Sequence, residues 1–169
     1  GFNHVRFHSW CPPEAAFQAA DETGLYLQPE TPLWVGKSQF QVNSKLQDYI
    51  ENQAIEIVRE YGMHPSFIML SLGNECGDTK GETHPKLDDI IARCKSENPS
   101  LLYNNTSIPW LYSTEGESDY YITAVTKKGY IRSQQRFLIE DETTLSSKFD
   151  YSDAMTGIKR PTIVHELGQ

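Results

Sequence analysis

The chain has 169 residues, enough for one domain with a sizeable core and too few for most two-domain enzymes. A formal net charge of −8 and a pI near 5.1 leave no basic stripe to neutralise phosphates, which argues against nucleic acid or an anionic membrane surface as a partner. Nine Tyr, seven Phe and three Trp suit flat, partly apolar ligands such as sugar rings as well as a core. The three cysteines, Cys11, Cys76 and Cys94, match no metal spacing and no even disulfide set, and read as buried free thiols. No apolar run approaches the roughly 20 residues of a membrane span.

In chain order, "GFNHVRFH" alternates Phe2, Val5 and Phe7 with polar neighbours and predicts a first strand. "PPEAAFQAADETG" predicts a helix: Pro opens it, Glu14 lies in its first turn, Phe17 and Ala20 share a face, and Gly24 stops it. "LYLQPE" is a second strand ending near Glu30, and a polar loop follows. Leu46, Tyr49, Ile50, Ile57, Val58 and Tyr61 then fall at helical spacing up to Gly62. A buried strand from Phe67 to Asn74 leads through a Gly- and Asp-rich loop into a helix over Pro85 to Glu97, with Leu87, Ile90, Ile91 and Cys94 on one face. "SLLYNN" and "DYYITAV" predict further strands. The polar stretch from Lys127 to Lys159 reads mostly as loop, and Thr162 to His165 as a last strand.

Strands alternating with helices imply parallel βα units, either an open doubly wound sheet or a (β/α)8 TIM barrel. No glycine-rich phosphate turn follows any strand, so the barrel is preferred. In either fold ligands sit at the carboxyl ends of the strands, and residues ending different strands share one mouth. Those residues are Arg6, His8 and Trp10 after the first strand, Glu30 and Trp34 after the second, Asn74 and Glu75 after the third, and His165 and Glu166 after the last. By strand alternation His165 is expected to point away from the mouth.

Two carboxylates across a pocket are what retaining glycoside hydrolysis uses: about 5 to 5.5 Å apart, one attacks the anomeric carbon while the other protonates the leaving oxygen and later activates water. Partial burial of the acid keeps its proton available. "NHVRFHSWCPPEAAFQAADETGLYLQPETPLW", "HPSFIMLSLGNE" and "PTIVHELGQ" resemble the catalytic barrel of glycoside hydrolase family 2, the β-galactosidase, β-glucuronidase and β-mannosidase group within clan A. The resemblance covers nearly the whole chain. It implies that Glu75 is the acid/base at the end of barrel strand four and Glu166 the nucleophile at the end of strand seven. Asn74 becomes the contact to the sugar 2-hydroxyl, Arg6 the neighbour of the nucleophile, and His8, Trp10, Glu30 and Trp34 further substrate-binding candidates; Arg6 also reads as a structural ion-pair partner for Glu30. His8 stands two residues after Arg6, where β-galactosidases and β-glucuronidases have their His three residues after it. Tyr120, Tyr121 and Tyr130 compete for the tyrosine that approaches the nucleophile.

On this alignment the chain runs from barrel strand two to just past strand seven, a partial catalytic domain over residues 1–169 of a larger multidomain glycosidase. The expected partners are a carbohydrate substrate and the missing β-sandwich domains and barrel strands of the parent chain; a homo-oligomer stays open. The isolated segment is expected to be inactive and poorly folded. No cofactor and no metal are implied, since "ETPLWVG" lacks the metal-ligand His that some β-galactosidases carry there. The rival readings are a clan relative with endo action and a catalytically silent barrel that binds carbohydrate or scaffolds an assembly. His4, His64 and His84 read as satisfied or exposed histidines, the "NNTS" sequon at Asn104 as coincidence, and Lys127, Lys128, Arg132 and Arg136 as a solvated loop.

Overall fold

The computed structural model describes residues 1–78, 83–111, 116–131 and 150–166. Six strands form where the apolar runs predict them, each shorter than its run: β1 (His4–Arg6), β2 (Tyr26–Gln28), β3 (Met69–Ser71), β4 (Leu102–Asn104), β6 (Tyr121–Thr126, one residue past its run) and β8 (Thr162–Val164); β5 (Ile108–Leu111) and β7 (Gly129–Tyr130) form where no strand is expected. The helices are α1 (Glu14–Thr23), α2 (Lys37–Gln41), α3 (Ser44–Tyr61) and α4 (Pro85–Glu97).

The helix ends follow from local chemistry. Gly24 closes α1 in the left-handed conformation at φ 72°, donating its N–H to Ala20, a geometry that costs a side-chain-bearing residue about 1–2 kcal/mol. Asn43 caps α3 by accepting the Leu46 N–H at 3.0 Å, and α4 starts with Pro85 at its first turn and His84 accepting from the Lys86 N–H. The single turn α2 lies in what reads as loop, because five residues with one buried side chain, Phe40, carry no detectable period. Tyr49, expected on the apolar face of α3, is half exposed at its rim, whereas Ile50, Ile57 and Val58 are buried.

Phe17, Phe67, Leu70, Ile50, Ile90 and Tyr103 belong to one core cluster between helices and strands. Phe17 stacks on Tyr61 at 4.4 Å and meets Phe67 edge-on at 5.6 Å. Across the α3–α4 seam the buried Glu51 is paired with Lys86 at 2.5 Å and with Arg93. His64 holds Asp21 at 2.7 Å and His84 is a cap, as satisfied histidines do. His4 departs from that expectation: burial lowers its pKa, and its Nε2 has no hydrogen-bond partner among the described residues. The cysteines are free thiols, and burial pushes Cys11 and Cys94 up to about 12 and Cys76 up to about 11. Only Cys11 is less than buried.

The chain is a mixed α/β domain with several short sheets, and a closed (β/α)8 barrel is not among the pairings of the described residues. β1 pairs with β2 and β3 with β4, both parallel; β6 carries β5 and β8 as parallel neighbours and β7 as an antiparallel one. Isolated parallel bridges, Leu27 to Phe67, Glu30 to Ser71 and Asn74 to Ser107, continue the succession between these sheets. The ladder is interrupted where a donor is missing or the backbone turns: Pro29 follows β2 without an N–H, and Gly73, at φ 153°, lies two residues past the end of β3. Of the loop expected over 127–159, residues 127–131 form a turn and β7; Arg132 and Arg136 lie outside the described residues.

Candidate active site

The stretch after β3 turns sharply. A Cβ at Gly73 would stand 2.4 Å from the Leu33 carbonyl oxygen, so only glycine lets the chain pass here. Asn74 N–H then donates to Leu33 at 2.8 Å and Glu75 N–H to Ser107 at 2.7 Å. Gly73→Ala should lower stability by about 3 kcal/mol through the backbone clash and the positive φ. Urea unfolding monitored by circular dichroism measures this, and an unchanged midpoint would show that the turn relaxes freely.

Glu75 leaves that turn at φ 54°, and Glu166, after β8, sits at φ 51°. Among the described residues only Ser9, at φ 59°, joins them as a non-glycine with positive φ. Each such residue costs of order 1–3 kcal/mol unless surrounding contacts impose it, and such strain gathers at functional sites. Ser9 is held by its N–H, which donates to Glu30 Oε2 at 2.7 Å. The two carboxylates are brought together: one oxygen of Glu75, one of Glu166 and a ring nitrogen of His165 all lie within 4.8 Å of one another. These three are also the described residues whose donor atoms come close enough to share a cation.

Beneath them lies a charged layer built on β1 and β2. Arg6 donates from Nε to Glu30 Oε1 and from Nη2 to Asn74 Oδ1, both at 2.7 Å. Glu30 is fully buried, and its Oε1 also accepts from Ser107 Oγ at 3.2 Å. Burial pushes the Glu30 carboxyl above the ordinary glutamate value, against the downward pull of Arg6 and of the hydrogen bonds from Ser9 and Ser107. Arg6 has only donors, so it fixes Oδ1 as the face of Asn74 turned toward it. His165 Nε2 reaches the same oxygen at 3.2 Å. The Asn74 amide nitrogen, in a fully buried residue, is left with no hydrogen-bond partner among the described residues.

The predicted mouth is therefore populated by Arg6, Glu30, Asn74, Glu75 and Glu166, with His8 and Trp34 on its rim. His8 Nε2 stands 3.9 Å from Glu166 Oε1, and its ring meets Trp34 edge-on at 4.8 Å. Trp34 Nε1 donates to Glu75 Oε2 at 3.4 Å, a long bond from a side chain that is 60% exposed. Trp10 does not join them. Its exposed ring packs edge-on against Phe7, and its contribution is a backbone carbonyl that accepts the Glu30 N–H.

His165 overturns the alternation argument. It is fully buried, with Nε2 3.5 Å from Glu166 Oε1 and 3.2 Å from Asn74. Alternation holds only inside a strand, and β8 ends at Val164, so His165 already belongs to the turn that carries Glu166 to positive φ. Ser9 and Ser107, which hold Glu30, were not singled out in the sequence, because a serine in a loop carries no signal of its own. Of the three tyrosines, Tyr120 is completely buried and feels the charges of Glu30 and Arg6, Tyr121 receives a hydrogen bond from Arg160 at 3.0 Å, and Tyr130 is exposed. The sequon asparagine, Asn104, is buried and donates to the Tyr120 carbonyl, in keeping with coincidence.

No family model matches this sequence, and no curated protein matches it by sequence. Solved structures do resemble it. An FMN-binding β-glucuronidase from Facaelibacterium prausnitzii L2-6 superposes with a TM-score of 0.59 at 18% identity, over 72% of this chain and 19% of that one. A β-D-glucuronidase for Dictyoglomus thermophilum gives 0.56 at 20% identity, over 72% and 23%. A glycosyl hydrolase family 2 member from Bacteroides cellulosilyticus DSM 14838 gives 0.54 at 22% identity, over 74% and 17%. At these identities the likeness is one of fold, and the chain spans about a fifth of the length of the structures it matches.

Proposed function

We propose that this chain carries the catalytic carboxylates of a retaining, exo-acting β-glycosidase of the glycoside hydrolase family 2 kind, and that it forms barrel strands two to seven of a larger enzyme. The observation that carries the reading is the pairing of two strand-terminal glutamates, both in left-handed backbone geometry, with carboxylate oxygens within 4.8 Å of each other. That separation suits the shorter of the two glycosidase geometries, about 5 to 5.5 Å, because inversion needs room for a water and about 6.5 to 9.5 Å.

In the proposed reaction the Glu166 carboxylate attacks the anomeric carbon. The glycosidic C–O bond breaks, and the leaving oxygen takes the Glu75 proton. Water then attacks the same carbon, gives a proton to Glu75, and releases Glu166 as carboxylate. The unpartnered Asn74 amide N–H is positioned to donate to a substrate oxygen, the 2-hydroxyl in this reading. Arg6 and His165 hold that amide in place through its oxygen.

Proton NMR of aryl β-glycoside hydrolysis by the intact protein tests the stereochemistry. The first free sugar to appear should be the β-anomer. An α-anomer appearing first would overturn the retaining mechanism, and inertness toward the whole aryl β-glycoside panel would overturn the glycosidase reading.

A further inference from the structure

A pocket of about 690 Å³ opens on one side of Glu75. Its size falls inside the range of about 300–1,000 Å³ typical of ligand sites. Among the described residues its lining includes Glu75, Lys37, Gln41, Asp78, Ile108 and Trp110, and includes neither Glu166 nor Asn74. Ile108 and Trp110 are two apart on β5 and so share a face, and both reach this pocket. Trp110 is 40% exposed, which leaves indole surface for a ligand. Opposite charges in the wall neutralise each other, with Lys37 Nζ 3.3 Å from Asp78 Oδ2.

We infer that this pocket receives the leaving group, and that it takes a neutral sugar residue laid against Trp110. The inference rests on the assignment of Glu75 as the proton donor. A proton donor must lie on the leaving-oxygen side of the broken bond, and the sugar that becomes the glycosyl ester lies toward the nucleophile. A pocket bordered by the donor and not by the nucleophile is therefore on the leaving group's side. Its chemistry selects the class. An indole face beside Ile108 matches the C–H face of a pyranose, while Gln41 and the Lys37–Asp78 pair supply donors and acceptors for a rim of hydroxyls. A uronic acid would bring a second negative charge among Glu75 and Asp78, with the Lys37 ammonium already engaged.

The test uses the intact protein and three substrates sharing one glycone: a β-glycosyl fluoride, a β-linked disaccharide with a neutral leaving sugar, and one with a uronic acid leaving sugar. Fluoride fills no pocket, so the ratio of kcat/KM for the neutral disaccharide to that for the fluoride isolates this subsite. Trp110→Ala should lower that ratio about ten- to a hundredfold, and Trp110→Phe should restore most of it. The neutral disaccharide should also be cleaved faster than the acidic one. An unchanged ratio in Trp110→Ala, or preference for the acidic disaccharide, overturns the inference while leaving the glycosidase reading intact. If all three substrates are inert, it is the glycosidase reading that has failed, and the subsite falls with it.

Discussion

Glu166→Gln in the intact protein should lower kcat for every β-glycoside by roughly 10⁴- to 10⁶-fold, the scale on which enzymes lose activity when a nucleophile is removed. An amide keeps the shape but replaces one acceptor oxygen with a donor and has no carboxylate charge to form the glycosyl ester, so no leaving group, however good, rescues the first step. Glu75→Gln should behave differently. Its loss should be about 10²- to 10⁴-fold for sugar leaving groups, which must be protonated, and much smaller for departure of fluoride or a nitrophenolate, which need no proton. Steady-state kinetics on matched fluoride and disaccharide substrates read the contrast. The pair of outcomes is diagnostic, since a glutamate that merely supported the fold would depress all substrates alike. Hydrolysis surviving both substitutions sinks the assignment. Circular dichroism of each variant checks the fold independently, and it should stay native because glutamine occupies the same volume and the backbone at both positions keeps its positive φ.

Arg6→Ala should be the most damaging single change to stability in the charged layer, by about 3 kcal/mol near pH 7.5, because it strands the fully buried Glu30 carboxylate. The pH dependence follows from the direction of the Glu30 shift. In the native protein burial already raises its pKa above the ordinary 4.5, so the folded state holds the proton more tightly than the unfolded chain does. Stability contributed by that proton is present below pH 4.5 and is lost as the pH rises through the folded pKa. Removing Arg6 deletes the two strongest downward influences, its charge and its hydrogen bond, so the folded pKa climbs and the loss extends to higher pH. The destabilisation should accordingly shrink on going from pH 7.5 to pH 5, as Glu30 neutralises itself. Urea titrations at the two pH values measure it, and the pH dependence should vanish in Arg6→Ala/Glu30→Gln. A pH-independent loss in the single variant would mean that Glu30 finds another cationic partner. Activity should fall as well, because Asn74 loses one of the two groups that orient its amide.

Much of the architecture was legible because local signals agreed with one another. The Pro85 to Glu97 helix has the same limits in sequence and structure, since a proline opens it, four buried side chains share its face, and Asn98 and Pro99 stop it. The Asn74–Glu75 pair stood out for a different reason: a buried apolar strand carries it onto a glycine-flanked break, and the strand ends of parallel α/β folds are where ligands sit. Residues without such a local signal escaped. α2 is a single turn, and β5 follows β4 so closely that four residues carry no alternation of their own. Trp110 shows no more in the sequence than any other tryptophan; its value comes from the face of β5 on which it stands, beside Glu75.

What the amino-acid order determined by itself is the longer helices, most of the strands and the side chains that follow those strands, because these depend on neighbours a few residues away. What only the tertiary structure decided is the arrangement at those ends. His165 turned inward because β8 stops one residue before it, and Glu166 took a left-handed backbone that alternation cannot foresee. Arg6 makes the ion pair with Glu30 that the sequence allows, and adds a hydrogen bond to Asn74, 68 residues away along the chain, that it does not announce. Trp10, a substrate-binding candidate by its place after the first strand, packs edge-on against Phe7. Contacts across such separations depend on how strands settle against one another, and no local preference encodes them.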